Sequence, residues 1–214
     1  MTTLIETVRV HEGGAPLWPL HLARVQHSAR QLGIVLPPLE PPVGGDDRVV
    51  RYAITSGRVT TTERDVGSLE PVHLVTSPAP HRGYPHKTED RGWLAAARHG
   101  VLPVGADDAL LLDSAGRVIE STIWAIGWWD GERLCFPPLT LGGLPSVGRF
   151  RLDEVARGGL HDVPLFREAL GWRAMVACNA ARGILPVATL DGEEVPDNQR
   201  TASLAARFWA RPAA

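Results

Sequence analysis

Short strand-forming runs that end in tight turns constrain this chain more than any other feature. Val118 to Trp129 reads as a strand, Asp130-Gly131 as a hairpin signal, and Leu134–Pro137 as the returning strand. Leu185–Leu190 likewise runs into a turn at Asp191-Gly192. Further strands are expected at Ile5–Val10, Val49–Thr55, Val72–Thr76, Ala109–Leu112 and Ala174–Cys178. Helical patterns are fewer. Pro19–Gly33 puts Leu22, Val25, Ala29 and Leu32 on one face and ends in a glycine suited to a helix stop. Arg91–Arg98, Arg149–Arg157 and Gln199–Ala210 read as helices, and Phe166–Leu170 as a short one. Strands that return through hairpins, without regular strand–helix–strand alternation, predict an α+β fold. The proline-containing stretch Ser77–Pro85 is the best linker candidate. It predicts a small N-terminal α+β domain over residues 1–80, a linker at 81–85 and a larger α+β domain over 86–214.

The charge balance excludes several classes of partner. Net charge is −2 over 214 residues, with no run of like charges. A nucleic-acid or anionic-membrane surface would need a clustered basic patch. No segment approaches the ~18 uninterrupted apolar residues that span a bilayer. MTTLIETVRV lacks the basic and apolar regions of a signal peptide, so a cytoplasmic location is expected. The two cysteines, Cys135 and Cys178, cannot make a disulfide framework and match no zinc spacing; buried, reduced thiols are expected. No Gly-x-Ser-x-Gly elbow, P-loop or Gly-x-Gly-x-x-Gly fingerprint occurs.

Lysine is almost absent. Lys87 stands alone against twenty-one arginines. A solvated surface charge could be carried by arginine as well. Arginine cannot form a Schiff base, because its guanidinium stays protonated at working pH. The sole lysine is therefore a candidate for chemistry that only an amine performs. His86-Lys87-Thr88-Glu89-Asp90-Arg91 is followed by a helical run, then Asp107–Leu112, a turn, and Gly116-Arg117-Val118-Ile119-Glu120-Ser121-Thr122. Upstream lies His21-Leu22-Ala23-Arg24, and downstream lie Gly143–Arg149 and Cys178-Asn179-Ala180.

In this order the motifs resemble the fold-type IV enzymes that use pyridoxal 5′-phosphate (PLP), the class IV aminotransferases and 4-amino-4-deoxychorismate lyases. The resemblance runs from about Glu6 to Val187. It implies a two-domain, D-amino acid aminotransferase-like α+β architecture with a shortened N-terminal domain, and a homodimer acting on a small-molecule amino substrate. It implies that Lys87 is the Schiff-base residue and that Glu120 faces the pyridine nitrogen, where a carboxylate keeps the ring protonated as an electron acceptor. Arg24 would bind the phosphate through its fork. Ser146, Val147 and Gly148, opening a helix, would supply N–H groups to the dianion. Asn179 and Ala180 would complete the phosphate side, and Thr122 and Arg91 would contact substrate. Departures also occur. The segment that the family places before the Ile5–Val10 strand is missing, and the span from Arg24 to Lys87 is short. Ala125 stands where the family often has asparagine, and Gly148 where threonine is common. Met175–Ala180 looks most like the lyase branch. A branched-chain or D-amino acid transaminase is the second expectation, and a non-catalytic binding protein on the same fold the third.

Overall fold

The computed structural model describes residues 2–210. Its first unit is a three-stranded antiparallel sheet: β1 (Leu4–Val10), β2 (Arg48–Thr55) and β3 (Arg58–Arg64), in that order. Helix α1 (Trp18–Leu32) packs on β1, burying Val25 and Ala29 against Leu4, Val8 and Val10. It stops where expected, at Gly33, which adopts the left-handed conformation and caps the helix. Strand β3 was not expected. Every residue of it but Val59 is exposed, so it carries no buried alternation to betray it.

The larger sheet begins with β4 (Val72–Thr76), β5 (Asp108–Leu112), β6 (Val118–Ser121), β7 (Ala125–Asp130) and β8 (Arg133–Phe136). It continues with β9 (His161–Asp162), β10 (Met175–Asn179) and β11 (Gly183–Leu190). Their spatial order is β6-β5-β4-β11-β10-β7-β8-β9. Antiparallel pairs dominate, but three are parallel: β4 with β5, β4 with β11 and β8 with β9; the chain crosses from β4 to β5 through α2 (Gly92–Val101). Strand β4, which the linker assignment groups with the N-terminal part, lies inside this sheet between β11 and β5. Helices α3 (Val147–Val155) and α4 (Gln199–Phe208) cover one face, packing Leu152, Leu204 and Phe208 over Phe136, Val176 and Ile184. On the other face Trp124, Trp128, Leu110 and Val187 form a second core. Both cysteines are buried and unpaired, as expected. No helix among the described residues is long and apolar enough to cross a membrane.

One expected strand is two. Val118–Trp129 breaks at residues 122–124, and its halves pair with different partners, β6 with β5 and β7 with β8 and β10. The cause is Asp108, a fully buried carboxylate on β5. It accepts from the Ser121 hydroxyl (2.7 Å), the Thr122 hydroxyl and the Ile123 N–H (3.1 Å). The Ser121 oxygen in turn accepts from Trp124 N–H at 3.1 Å. This turn contains no glycine or proline, so its sequence shows none of the usual signals.

Candidate active site

A cavity of about 420 Å³ lies between the two sheets. Lys87, Arg24, Glu120, Ser146, Val147, Asn179, Ala180, Thr122 and Arg91 all line it, brought there from widely separated parts of the chain. Gly148 sits just behind, within α3.

Lys87 is positioned by backbone pairing to the small sheet. Its carbonyl accepts from Ile5 N–H at 2.8 Å, Glu89 N–H donates to the Thr3 carbonyl at 2.9 Å, and Thr88 bridges Leu4. The half-buried amine faces a cavity rich in positive charge. Burial, then the Arg91 and Arg24 charges, pull its pKa down to about 7, against the opposing pull of Glu6 and Glu120. A large fraction of this amine is therefore neutral near pH 7.

Glu120, at the end of β6, is held from the linker. His81 Nε2 lies 2.8 Å from its Oε1. The Gly83 N–H donates to His81 Nδ1 at 3.0 Å, so Nδ1 is the acceptor and Nε2 carries the proton given to Glu120. Leu144 N–H approaches the same carboxylate at 3.3 Å. Tyr84 lies beside it, and burial, followed by the Glu120 charge, keeps the Tyr84 hydroxyl protonated. The linker thus contributes to the site: His81 N–H donates to the Leu112 carbonyl at 2.7 Å and Tyr84 N–H to that of Gly142 at 3.2 Å.

Arg24 is oriented by Glu6, a buried carboxylate on β1 that the sequence reading passed over. Arg24 Nε and Nη2 donate to its two oxygens at 2.9 and 2.6 Å, and His21 Nδ1 lies 2.6 Å from Oε2. Burial alone would raise the Glu6 pKa, but Arg24 and His21 overcome it and bring it down to about 2. Arg24 Nη1 also donates to the Pro145 carbonyl at 3.1 Å. One N–H on each terminal nitrogen remains for a ligand. The signal was there to read: Leu4, Glu6, Val8 and Val10 alternate onto one face, and Glu6 is the polar residue in an apolar row.

The N-terminus of α3 faces Arg24. Ser146 caps it, accepting from Arg149 N–H at 3.4 Å. The N–H groups of Val147 and Gly148 are buried and donate to no protein acceptor among the described residues. Such groups suit a dianion. Gly148, which departs from the family pattern, has a local reason. A Cβ there would lie 2.9 Å from the Asn179 Cα and 2.9 Å from the Cys178 Sγ. Gly148→Ala is expected to cost about 1–3 kcal/mol through overpacking, read as a lower melting temperature and weaker uptake of PLP.

Two of the lining side chains also hold the local backbone and neighbouring side chains. The Asn179 Oδ1 accepts from Ala181 and Arg182 N–H at 2.9 and 2.8 Å, so this side chain shapes the β10–β11 turn. The Thr122 hydroxyl gives its proton to Asp108, leaving its oxygen as an acceptor only. Arg91 has a buried Nε without a partner among the described residues.

The donor set fits PLP. An arginine fork and a helix N-terminus suit a phosphate, a partly neutral amine suits an aldehyde, and a positioned carboxylate suits a pyridine nitrogen. Lys87 and Glu120 thus share one cavity, as the resemblance to fold-type IV enzymes implies. Comparison with known proteins agrees. The amino-transferase class IV profile matches residues 48–190. No curated protein matches the chain. Among solved structures, a Legionella pneumophila protein provisionally named a 4-amino-4-deoxychorismate lyase superposes with a TM-score of 0.81 at 21% identity, covering 94% of this chain and 88% of that one. The Escherichia coli branched-chain amino acid aminotransferase gives 0.81 at 17%, covering 97% and 84%. A Brucella abortus aminotransferase bound to PLP gives 0.82 at 17%, covering 97% and 88%. The chain belongs to the class IV aminotransferase family, whose cofactor is PLP.

Proposed function

We propose that this chain is a PLP-dependent lyase that eliminates pyruvate from 4-amino-4-deoxychorismate to leave 4-aminobenzoate. The observation that carries the PLP chemistry is the meeting of Lys87, Glu120, Arg24 and the α3 N-terminus on one cavity. When bound, PLP supplies an electron sink for bonds broken at the amino carbon. Arg24 and the Val147 and Gly148 N–H groups hold the phosphate. Glu120, fixed by His81, holds the ring-nitrogen proton. Lys87 anchors the cofactor and, as an amine of pKa about 7, carries a proton to and from the substrate. The lyase reading is supported by the Met175–Ala180 segment, which resembles that branch, and by the likeness to the Legionella protein. The resemblance of the motifs to this family implies a homodimer, and a cytoplasmic location completes the proposal.

The test is a paired assay of the purified, PLP-loaded protein. Pyruvate release from 4-amino-4-deoxychorismate is expected, with little amino transfer from branched-chain or D-amino acids to 2-oxoglutarate. The reverse result assigns the chain to the transaminases. A protein that takes up no PLP and acts on neither substrate ends both readings.

A further inference from the structure

The cavity carries far more positive charge than a phosphate needs. Arg24, Arg64, Arg91, Arg98, Arg182 and Lys87 line it, against Glu120 as the one carboxylate. Arg24 is matched by Glu6. The other four arginines form no salt bridge among the described residues; Arg91 lies beside Lys87, and the remaining three stand apart from the cofactor-side residues. Arg64 ends β3, Arg98 lies on α2, and Arg182 sits in the turn between β10 and β11. None of these three forms a salt bridge among the described residues.

Each is instead tied to a neutral backbone carbonyl. Arg64 Nη1 donates to Asp65 O at 2.9 Å, Arg98 Nε to Asp107 O at 3.1 Å and Arg182 Nε to Val66 O at 3.2 Å. Arg182 also lies over the Trp124 ring, 5.4 Å from its centroid. Gly67 leaves room for it: a Cβ at that position would lie 3.0 Å from Nη2. Burial, then the Arg64 and Arg98 charges, lower the Arg182 pKa against the opposing pull of Asp107 and Asp108, so Arg182 stands within reach of two like charges. Such crowding costs free energy that an anion between them would recover.

We propose that Arg64, Arg98 and Arg182 form an anion rim that selects a substrate bearing a carboxylate remote from its amino carbon. Planar guanidinium forks match carboxylates, and the backbone anchors hold them in place before substrate arrives. An amino acid with a purely apolar side chain would leave the rim unneutralised. The inference rests on the PLP reading for the position of the amino group, and it favours the dicarboxylate substrate over a branched-chain one.

The test separates the rim from the cofactor chemistry. PLP-loaded protein, its loading read from visible absorbance, is titrated calorimetrically with benzene-1,3-dicarboxylate and with benzoate; neither has an amine to react. The dicarboxylate is expected to bind about tenfold more tightly, the equivalent of one good charged contact. Arg182→Gln and Arg98→Gln should each remove about that factor from dicarboxylate binding and leave the visible band intact. Arg182→Lys should restore part of the loss. Rising salt should erode the dicarboxylate's advantage in the wild-type protein, which also serves if a variant fails to fold. Equal affinities for the two acids, or unchanged dicarboxylate binding in both glutamine variants, overturn the rim. If no PLP is taken up, the proposed function fails, and the same titration on phosphate-saturated protein still decides the rim.

Discussion

Lys87→Ala is expected to abolish the visible absorbance of the PLP-loaded protein and to lower turnover by roughly 10³-fold or more, the scale of losing a positioned proton carrier. Lys87→Arg is the sharper variant. It keeps a positive charge in the cavity but offers no amine that can lose its proton. An effect as large as that of alanine assigns Lys87 a covalent and proton-carrying role. A visible band retained in Lys87→Arg would show that another group bonds the cofactor. The wild-type protein adds a pH signature. Because the amine must be neutral to bond an aldehyde, PLP uptake should rise as pH climbs through about 7. An ordinary exposed lysine would place that rise some three units higher.

Glu6→Ala has the largest expected effect on stability. It leaves the Arg24 guanidinium and the His21 ring buried beside an empty site, and breaking a buried ion pair in this way costs about 3–5 kcal/mol. In a chain of this size each kcal/mol lowers the melting temperature by roughly 2–4 °C, so the loss is easily measured by thermal unfolding. Glu6→Gln should cost less, because it can still accept one hydrogen bond. The linkage has a definite sign. The Glu6 pKa falls on folding, from 4.5 to about 2, so its contribution is fully present above pH 4.5 and disappears as pH drops towards 2. The acid-side fall in melting temperature should therefore be shallower in Glu6→Gln. A parallel fall in both proteins would remove Glu6 as its source.

The residues that speak most directly about chemistry were legible because their type is restrictive. Only an amine can replace Lys87, and Glu120 and the His21–Arg24 helix stand in a recognisable order around it. Helix α1 was legible from its periodicity and its closing glycine. The features that escaped depend on partners distant in sequence. The turn after Glu120 exists because Asp108, on another strand, collects its donors. His81 and Tyr84 lie in a proline-containing stretch whose composition suggests a connector, yet tertiary contacts make it part of the site. Strand β3 is polar because both its faces meet solvent. Arg64, Arg98 and Arg182 look like ordinary surface charges until the fold brings them to one cavity.

The backbone of Lys87 belongs by its hydrogen bonds to the small sheet, while Glu120 and α3 belong to the large one. A ligand that engages all of them bridges two structural units that otherwise meet mainly through side chains. Its departure would then lower the free energy of local opening at the seam as well as empty the cavity. Hydrogen exchange at the Ile5 and Glu89 amides would report how firmly the Lys87 segment, which leads on to the large unit, stays fastened to the edge of β1.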